Sequence, residues 1–207
     1  MSNITLHRHP VSGHAHRAEL FLSLLGLDFT LQDVDLMKGA HKQPDFLALN
    51  PFGQIPVLID GDVTLFDSNA ILVYLAKTYD KSGQWLPEEP VAAAQVQQFL
   101  SMAAGLLAYG PARARLITLF NAPYDADATI TQSHAFLTTF NAMLAGKEWL
   151  VGNHPTIADV AHYSYIAKAP EGNVDLSEYS NILDWLARIE ALDGFVPMMV
   201  SKVGLVK

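Results

Sequence analysis

FGQIPVLIDGDVTLFDSNAILVYL, residues Phe52 to Leu75, holds a strand, a hairpin and a helix start in one unit, and its reading decides the fold. Ile55 to Ile59 is a short apolar run rich in β-branched side chains. Asp60-Gly61 is a two-residue turn signal, and Val63 to Phe66 reads as the return strand. Asp67-Ser68 then precede a helical pattern with Ile71, Leu72 and Leu75 on one face. Two features of the unit point to a ligand. Pro56 opens a strand where it can donate no hydrogen bond, which suggests an edge or a cis turn that leaves the N–H and C=O of Ile55 for another molecule. Asp67, Ser68 and Asn69 crowd a helix N-terminus, whose free N–H groups and positive dipole end attract a carboxylate. Singly, each is ordinary capping or strand punctuation; in this order they suit a peptide-like ligand.

Gln54-Ile55-Pro56-Val57-Leu58, followed after the hairpin by Asp67-Ser68-Asn69-Ala70-Ile71, resembles the glutathione-binding core of the cytosolic glutathione S-transferase superfamily, in a bacterial-like or theta-like form. The resemblance implies that the Ile55 backbone pairs with the cysteinyl residue of glutathione, and that Asp67 and Ser68 hold its γ-glutamyl end. Asp67 stands where glutamate is more usual; one methylene shorter, it would reach the ammonium through a water or with help from a partner subunit. Ser68 can address a carboxylate with both its hydroxyl and its N–H. Gln54 is a further ligand-facing position by the same resemblance. His41 and Lys42 occupy the loop where related transferases contact the glycyl carboxylate; a solvated loop pair is the plainer reading.

Composition narrows the rest. The chain has 207 residues, half of them hydrophobic, enough for a sizeable core in one large domain or two small ones. A net charge of −8 with only 13 Lys and Arg does not supply the clustered cations of a nucleic-acid binder. No segment reads as long and apolar enough to cross a bilayer, and Met1 to Pro10 lacks the basic-then-apolar layout of a signal peptide, so no membrane partner and a cytoplasmic location are expected. The sequence has no cysteine, which excludes disulfides, thiolate metal sites and an enzyme thiol as nucleophile. Of eight histidines, His7 and His9 can share a strand face, but His14 and His16 point apart on a helix, and no carboxylates cluster with them. No metal is expected.

Taken in order, Asn3 to Arg8 reads as a first strand, Ser12-Gly13 as a turn, and Ala15, Ala18, Phe21, Leu22 and Leu25 as one helix face closed by Gly26. Phe29 to Val34 is a second strand, and the β-α-β order predicts a parallel pair. Met37 to Gln43 is a polar loop, followed by a short helix from Pro44 to Leu49. With the hairpin unit this makes a thioredoxin-like domain, a mixed four-stranded sheet with helices, over residues 1–80; residues 81–90 have linker composition, and 91–207 read as an all-helical domain. In that second part Gly110-Pro111 is expected to break or kink a long helix from Val91 to Phe120. A helix over Thr129 to Leu144 and a last one over Ile182 to Leu192 are predicted, with a capping box at Thr156 and Asp159 between them. Behind that box Ile157, Val160, Ala161 and Ser164 form a narrow apolar and small-residue face. The family carries a Ser/Thr-x-x-Asp box at the same place, so this is a second match; its role is folding.

A transferase of this kind must turn a thiol of pKa about 8.5 into a thiolate, and lowering that pKa by about two units requires about 2.7 kcal/mol. One hydrogen bond to charged sulfur supplies about 1.5 to 3 kcal/mol and a helix N-terminus about 0.3 to 1, so a single hydroxyl suffices. Ser12, between the first strand and first helix, occupies the place where serine-type members keep that hydroxyl; a plain turn or capping serine is the alternative. His14 and His16 depart from the small or amide residues usual after it, leaving the Gly13 backbone N–H or His14 as other sulfur donors. Asn3 to His9 contains no tyrosine for the role. An electrophile pocket is expected between the domains, with Tyr109, Arg113 and Phe120 as lining candidates.

The expected activity is conjugation of the glutathione thiolate, as co-substrate, to a small hydrophobic electrophile, in a homodimer by family resemblance. Glutathione-dependent reduction of a disulfide or peroxide is the enzymatic alternative, since it uses the same thiolate and needs no enzyme cysteine. A non-catalytic ligand-binding or protein-interaction member of the fold is the alternative from another class.

Overall fold

The structure, a computed structural model, describes residues 4–206. Strand β1 (Ile4–Arg8) alternates buried Ile4 and Leu6 with half-buried neighbours; Asn3, its expected first residue, lies outside the described residues. Helix α1 (Gly13–Leu24) starts at the Ser12 cap, whose Oγ accepts from the Ala15 N–H at 3.2 Å. Gly26, at φ +64°, supplies the left-handed residue that turns the chain back toward β2 (Phe29–Asp33). β1 and β2 pair in parallel from Ile4 opposite Phe29 to Arg8 opposite Asp33. The expected polar loop contains one 3₁₀ turn at Ala40–Lys42 before α2 (Pro44–Leu49). β3 (Val57–Asp60) runs antiparallel to both β1 and β4 (Val63–Phe66), giving the sheet order β2-β1-β3-β4, and α3 (Ser68–Tyr79) follows. The mixed four-stranded sheet with its helices is the thioredoxin-like arrangement.

The rest of the described chain is helical. α4 (Pro90–Met102), capped by Glu89, runs into a π-helical segment, Ala103–Ala112, and then α5 (Arg113–Phe120). At Gly110-Pro111, where a break or kink is expected, the helix is not interrupted: Pro111 lies within the wide i→i+5 turns of the π segment, which runs on into α5. Gly110 faces α6, where a Cβ would sit in ordinary contact 3.4 Å from Ser133. The combined run Pro90–Phe120, 31 residues with a mean hydropathy of 1.3 over its most apolar window, is long and apolar enough to span a bilayer by length and composition, which corrects the expectation that no segment is. In the fold this run packs against α6 and α7.

α6 (Ala126–Met143) begins earlier than its apolar pattern predicts because Asp125 caps it. α7 (Ile157–Ala167) carries the predicted capping box, and α8 (Ser180–Glu190) closes the core. α7 is not merely amphipathic: every residue from Ile157 to Ile166 is buried, polar ones included. It lies against α1, α3, α4 and the π segment, so the first turn of α1 is held between the sheet domain and the helical core.

Candidate active site

Two cavities meet at the N-terminus of α1. The larger, a cleft of about 650 Å³, is walled by His41, Lys42 and Gln54 on one side and by Asp67 and Ser68 on the other, with Ile55 and His14 between. Ile55 precedes Pro56 through a cis bond and stands outside the β3 ladder, which starts at Val57; among the described residues its N–H and C=O take no partner from the chain. Lys42 Nζ donates to the carbonyls of Phe52 and Gly53, both at 3.0 Å, and keeps a third proton for a ligand. Gly53, at φ +57°, permits this latch, because a Cβ there would fall 2.6 Å from the His41 carbonyl and 2.9 Å from Lys42 Nζ. The Nδ1 of His41 is buried with no partner, and burial next to Lys42 lowers its pKa.

At the other wall Asp67, with φ +71°, caps α3: its Oδ1 accepts from the N–H groups of Asn69 and Ala70, both at 2.9 Å. Ser68 accepts from Arg17 Nη1 at 2.8 Å and faces His14 Nδ1 at 3.3 Å. Burial, with Arg17 beside it, pushes the His14 pKa down to about 3, so its ring is neutral. Cation at one end, carboxylate and helix N-terminus at the other, and an unpaired backbone edge between them match an extended, zwitterionic peptide.

The smaller cavity, about 200 Å³, shares His14, Leu36 and Ile55 with the cleft and adds Ser12, Arg115, Phe120 and Tyr165. Arg115 is fully buried against Glu171 at 2.6 Å, and its Nη1 donates to the Val11 carbonyl at 2.6 Å, which fixes the loop carrying Ser12 to the helical domain.

Comparison with known proteins gives the family. The glutathione S-transferase N-terminal domain family matches residues 2–77 and the glutathione S-transferase C-terminal domain family residues 99–193. Glutathione S-transferase 3 of Zea mays is 38% identical over 174 residues, 78% of this chain and 76% of the maize protein. The chain belongs to the glutathione S-transferase family. Among solved structures, a glutathione S-transferase from Pseudomonas fluorescens superposes with a TM-score of 0.89 at 34% identity, over 95% of this chain and 99% of that one. A glutathione transferase homologue from Drosophila mojavensis, solved with bound glutathione, gives 0.85 at 26% identity over 93% and 89%.

Against that family frame, the larger cleft gathers His41, Lys42, Gln54, Ile55, Asp67 and Ser68, and Ser12 lines the adjoining cavity. Phe120 reaches that cavity; Tyr109 and Arg113 do not line it, the Arg113 guanidinium lying instead over the rings of Tyr109 and Tyr124 at 4.8 and 4.6 Å. His14 turns Nδ1 to Ser68 rather than into the smaller cavity. Among the described residues no group of three or more His, Asp or Glu side chains has metal-binding geometry. Arg17, Arg115 and Tyr165 were not singled out from sequence. Arg17 had a faint signal, a lone cation between Ala15 and Ala18 on the buried face of α1.

Proposed function

We propose that this glutathione S-transferase conjugates the thiolate of glutathione to small hydrophobic electrophiles, with glutathione in the larger cleft and the electrophile in the smaller cavity. Residues 1–80 serve as the glutathione-binding domain, 81–90 as linker and 91–207 as the helical domain. The observation that carries the reading is the adjacency of the two spaces: the unpaired Ile55 edge lies on the shared wall, so a cysteinyl residue bound there directs its sulfur toward Ser12. That the Drosophila mojavensis homologue was solved with bound glutathione supports glutathione as the ligand. His41 and Lys42 take the glycyl carboxylate, Ser68 the γ-glutamyl carboxylate and Asp67 its ammonium. Ser12 stays an acceptor to the Ala15 N–H while its own proton is free to meet sulfur. The protein acts in the cytoplasm as a homodimer, as family resemblance implies.

Calorimetric titration of glutathione into wild type and Ser12→Ala, with an ultraviolet difference spectrum for bound thiolate, tests the assignment. Binding with a thiolate signal that Ser12→Ala removes is the expected result. Binding with the signal intact in Ser12→Ala overturns the role of Ser12, and absence of binding supports a non-catalytic member of the fold. Product analysis separates a thioether conjugate, which is expected, from oxidised glutathione, which would mark a reductase.

A further inference from the structure

We propose that the phenol of Tyr165, delivered by the core helix α7, is a second catalytic hydroxyl that donates to the glutathione sulfur; this rests on reading the cleft as the glutathione site. Tyr165 is 6% exposed and lines the smaller cavity together with Ser12 and Ile55. Its ring meets α1 at the first helical residue. A Cβ built on Gly13 would fall 2.7 Å from two Tyr165 ring carbons, one of them the carbon that bears the hydroxyl. Glycine at position 13 is thus what lets the phenol reach the helix N-terminus. His14 packs edge-on against the same ring, with centroids 5.0 Å apart.

The phenol ring abuts the first turn of α1, where the N–H groups of Gly13 and His14 have no partner within the helix. Standing against Gly13 on the wall of the smaller cavity, Tyr165 puts its phenol beside the helix start toward which the cysteinyl sulfur is directed. The positive end of α1 favours negative charge on the sulfur that the phenol meets. Burial raises the phenol's pKa while Arg17, Arg115 and the two amides hold it back, so it stays protonated at neutral pH. In the reaction the thiol proton passes to water and the sulfur lone pair forms the new C–S bond. As it forms, the bond from that carbon to its leaving group breaks, the leaving group departs with the electron pair, and Tyr165 keeps its proton throughout. Ser12 and Tyr165 then flank one sulfur from the two domains, so thiolate formation requires the helical core to be docked on α1.

The test is Tyr165→Phe, which keeps the ring against Gly13 and removes only the hydroxyl. Thiolate absorbance of bound glutathione is titrated against pH in wild type and variant. The expected result is a rise of about one to two units in the bound thiol pKa, with kcat at neutral pH down tenfold or more and glutathione affinity near wild type. A merely structural tyrosine would lower the melting temperature without moving that titration, and an unmoved titration overturns the proposal. If wild type itself fails to bind glutathione, the reading of the cleft falls first and this role with it. Should Tyr165→Phe not fold, wild type made with 3-fluorotyrosine serves: a more acidic phenol lowers the bound thiol pKa further, and no change overturns the role.

Discussion

Nη1 of Arg17 lies 2.8 Å from the hydroxyl of Ser68, joining α1 to the first turn of α3 behind the cleft wall. The same nitrogen donates to Asn69 Oδ1 at 2.9 Å, and Asn69 Nδ2 passes the connection on to the Leu100 carbonyl of α4 at 2.9 Å. Arg17 is 1% exposed, and its Nε and Nη2 are buried without partners. Burial lowers its pKa to about 10, with Asp67 opposing, so it remains a cation at neutral pH. A buried positive charge behind the N-terminus of α3 adds to the helix dipole in drawing a carboxylate to Ser68.

Replacing Arg17 by Lys tests that coupling. A lysine keeps the charge but, one bond shorter, does not bring its nitrogen to the point from which Nη1 reaches both Ser68 and Asn69. Glutathione affinity is expected to fall about tenfold, the equivalent of one charge-assisted hydrogen bond at about 1.4 kcal/mol. Calorimetry on the folded variant decides it, and a wild-type dissociation constant would refute the coupling.

The latch at the opposite wall makes a separate prediction. Because Lys42 spends two donors on the Phe52 and Gly53 carbonyls, its remaining proton is aimed by the protein rather than by the ligand. Lys42→Met is expected to weaken glutathione binding, and the glycyl monoethyl ester should show where the loss arises. Wild type should prefer the free acid over the ester, whereas Lys42→Met should bind the two alike. A preference equal in both proteins would place the glycyl carboxylate elsewhere.

How far these contacts were legible in the sequence depends on how local they are. The hairpin from Ile55 to Phe66 and the helix after Asp67 announce themselves, since an Asp-Gly turn between apolar runs and a polar cap before a periodic face are neighbours in sequence. The cleft residues share that advantage, because they lie on the loops of one β-α-β-β-α unit. Tyr165 meets Gly13 from the far end of the chain, and no pattern around either residue announces the meeting. The π segment escaped for another reason: proline in an apolar helical run ordinarily ends a helix, and only contacts with α6 and α7 show that the turn widens instead. Ser164 falls on the narrow small-residue face that the sequence shows behind the capping box, whereas nothing around His162 in the sequence marks it as buried with a partner of its own.

Asp159 holds more than its own helix. Its Oδ2 accepts from the Thr156 N–H at 2.9 Å and from the Thr156 hydroxyl at 3.2 Å. Its Oδ1 accepts from the Leu150 N–H at 3.0 Å and from Trp185 Nε1 at 2.9 Å. Asp159→Ala strands three buried N–H donors at about 1 to 3 kcal/mol each, so a loss of at least about 3 kcal/mol is expected. For a chain of this size that corresponds to a fall in melting temperature of about 6 to 12 °C. A melting curve within a degree or two of wild type would refute the account.

Acid should destabilise the protein through two histidines buried in the neutral state. His162 is fully buried, with Nδ1 on the Ala158 carbonyl at 2.9 Å and Nε2 unpartnered beside the stacked ring of Phe140. His16 places Nε2 on the Val196 carbonyl at 2.9 Å, which requires the proton on that nitrogen, and leaves Nδ1 to accept from Ser164 at 2.9 Å. Burial pushes the pKa of His162 down to about 3 and that of His16 to about 4, against an ordinary value of 6.5. Below pH 6.5 the unfolded chain therefore binds protons that the folded one refuses, and stability drains away as pH falls toward the folded values. At pH 5 each histidine costs about 2 kcal/mol relative to pH 7. His16→Gln keeps an acceptor for Ser164 and a donor for Val196 but does not titrate. Urea denaturation at pH 7 and pH 5 should show the variant losing about 2 kcal/mol less than wild type over that interval. Equal losses in the two proteins would mean that His16 is protonated in the folded state and would refute the account.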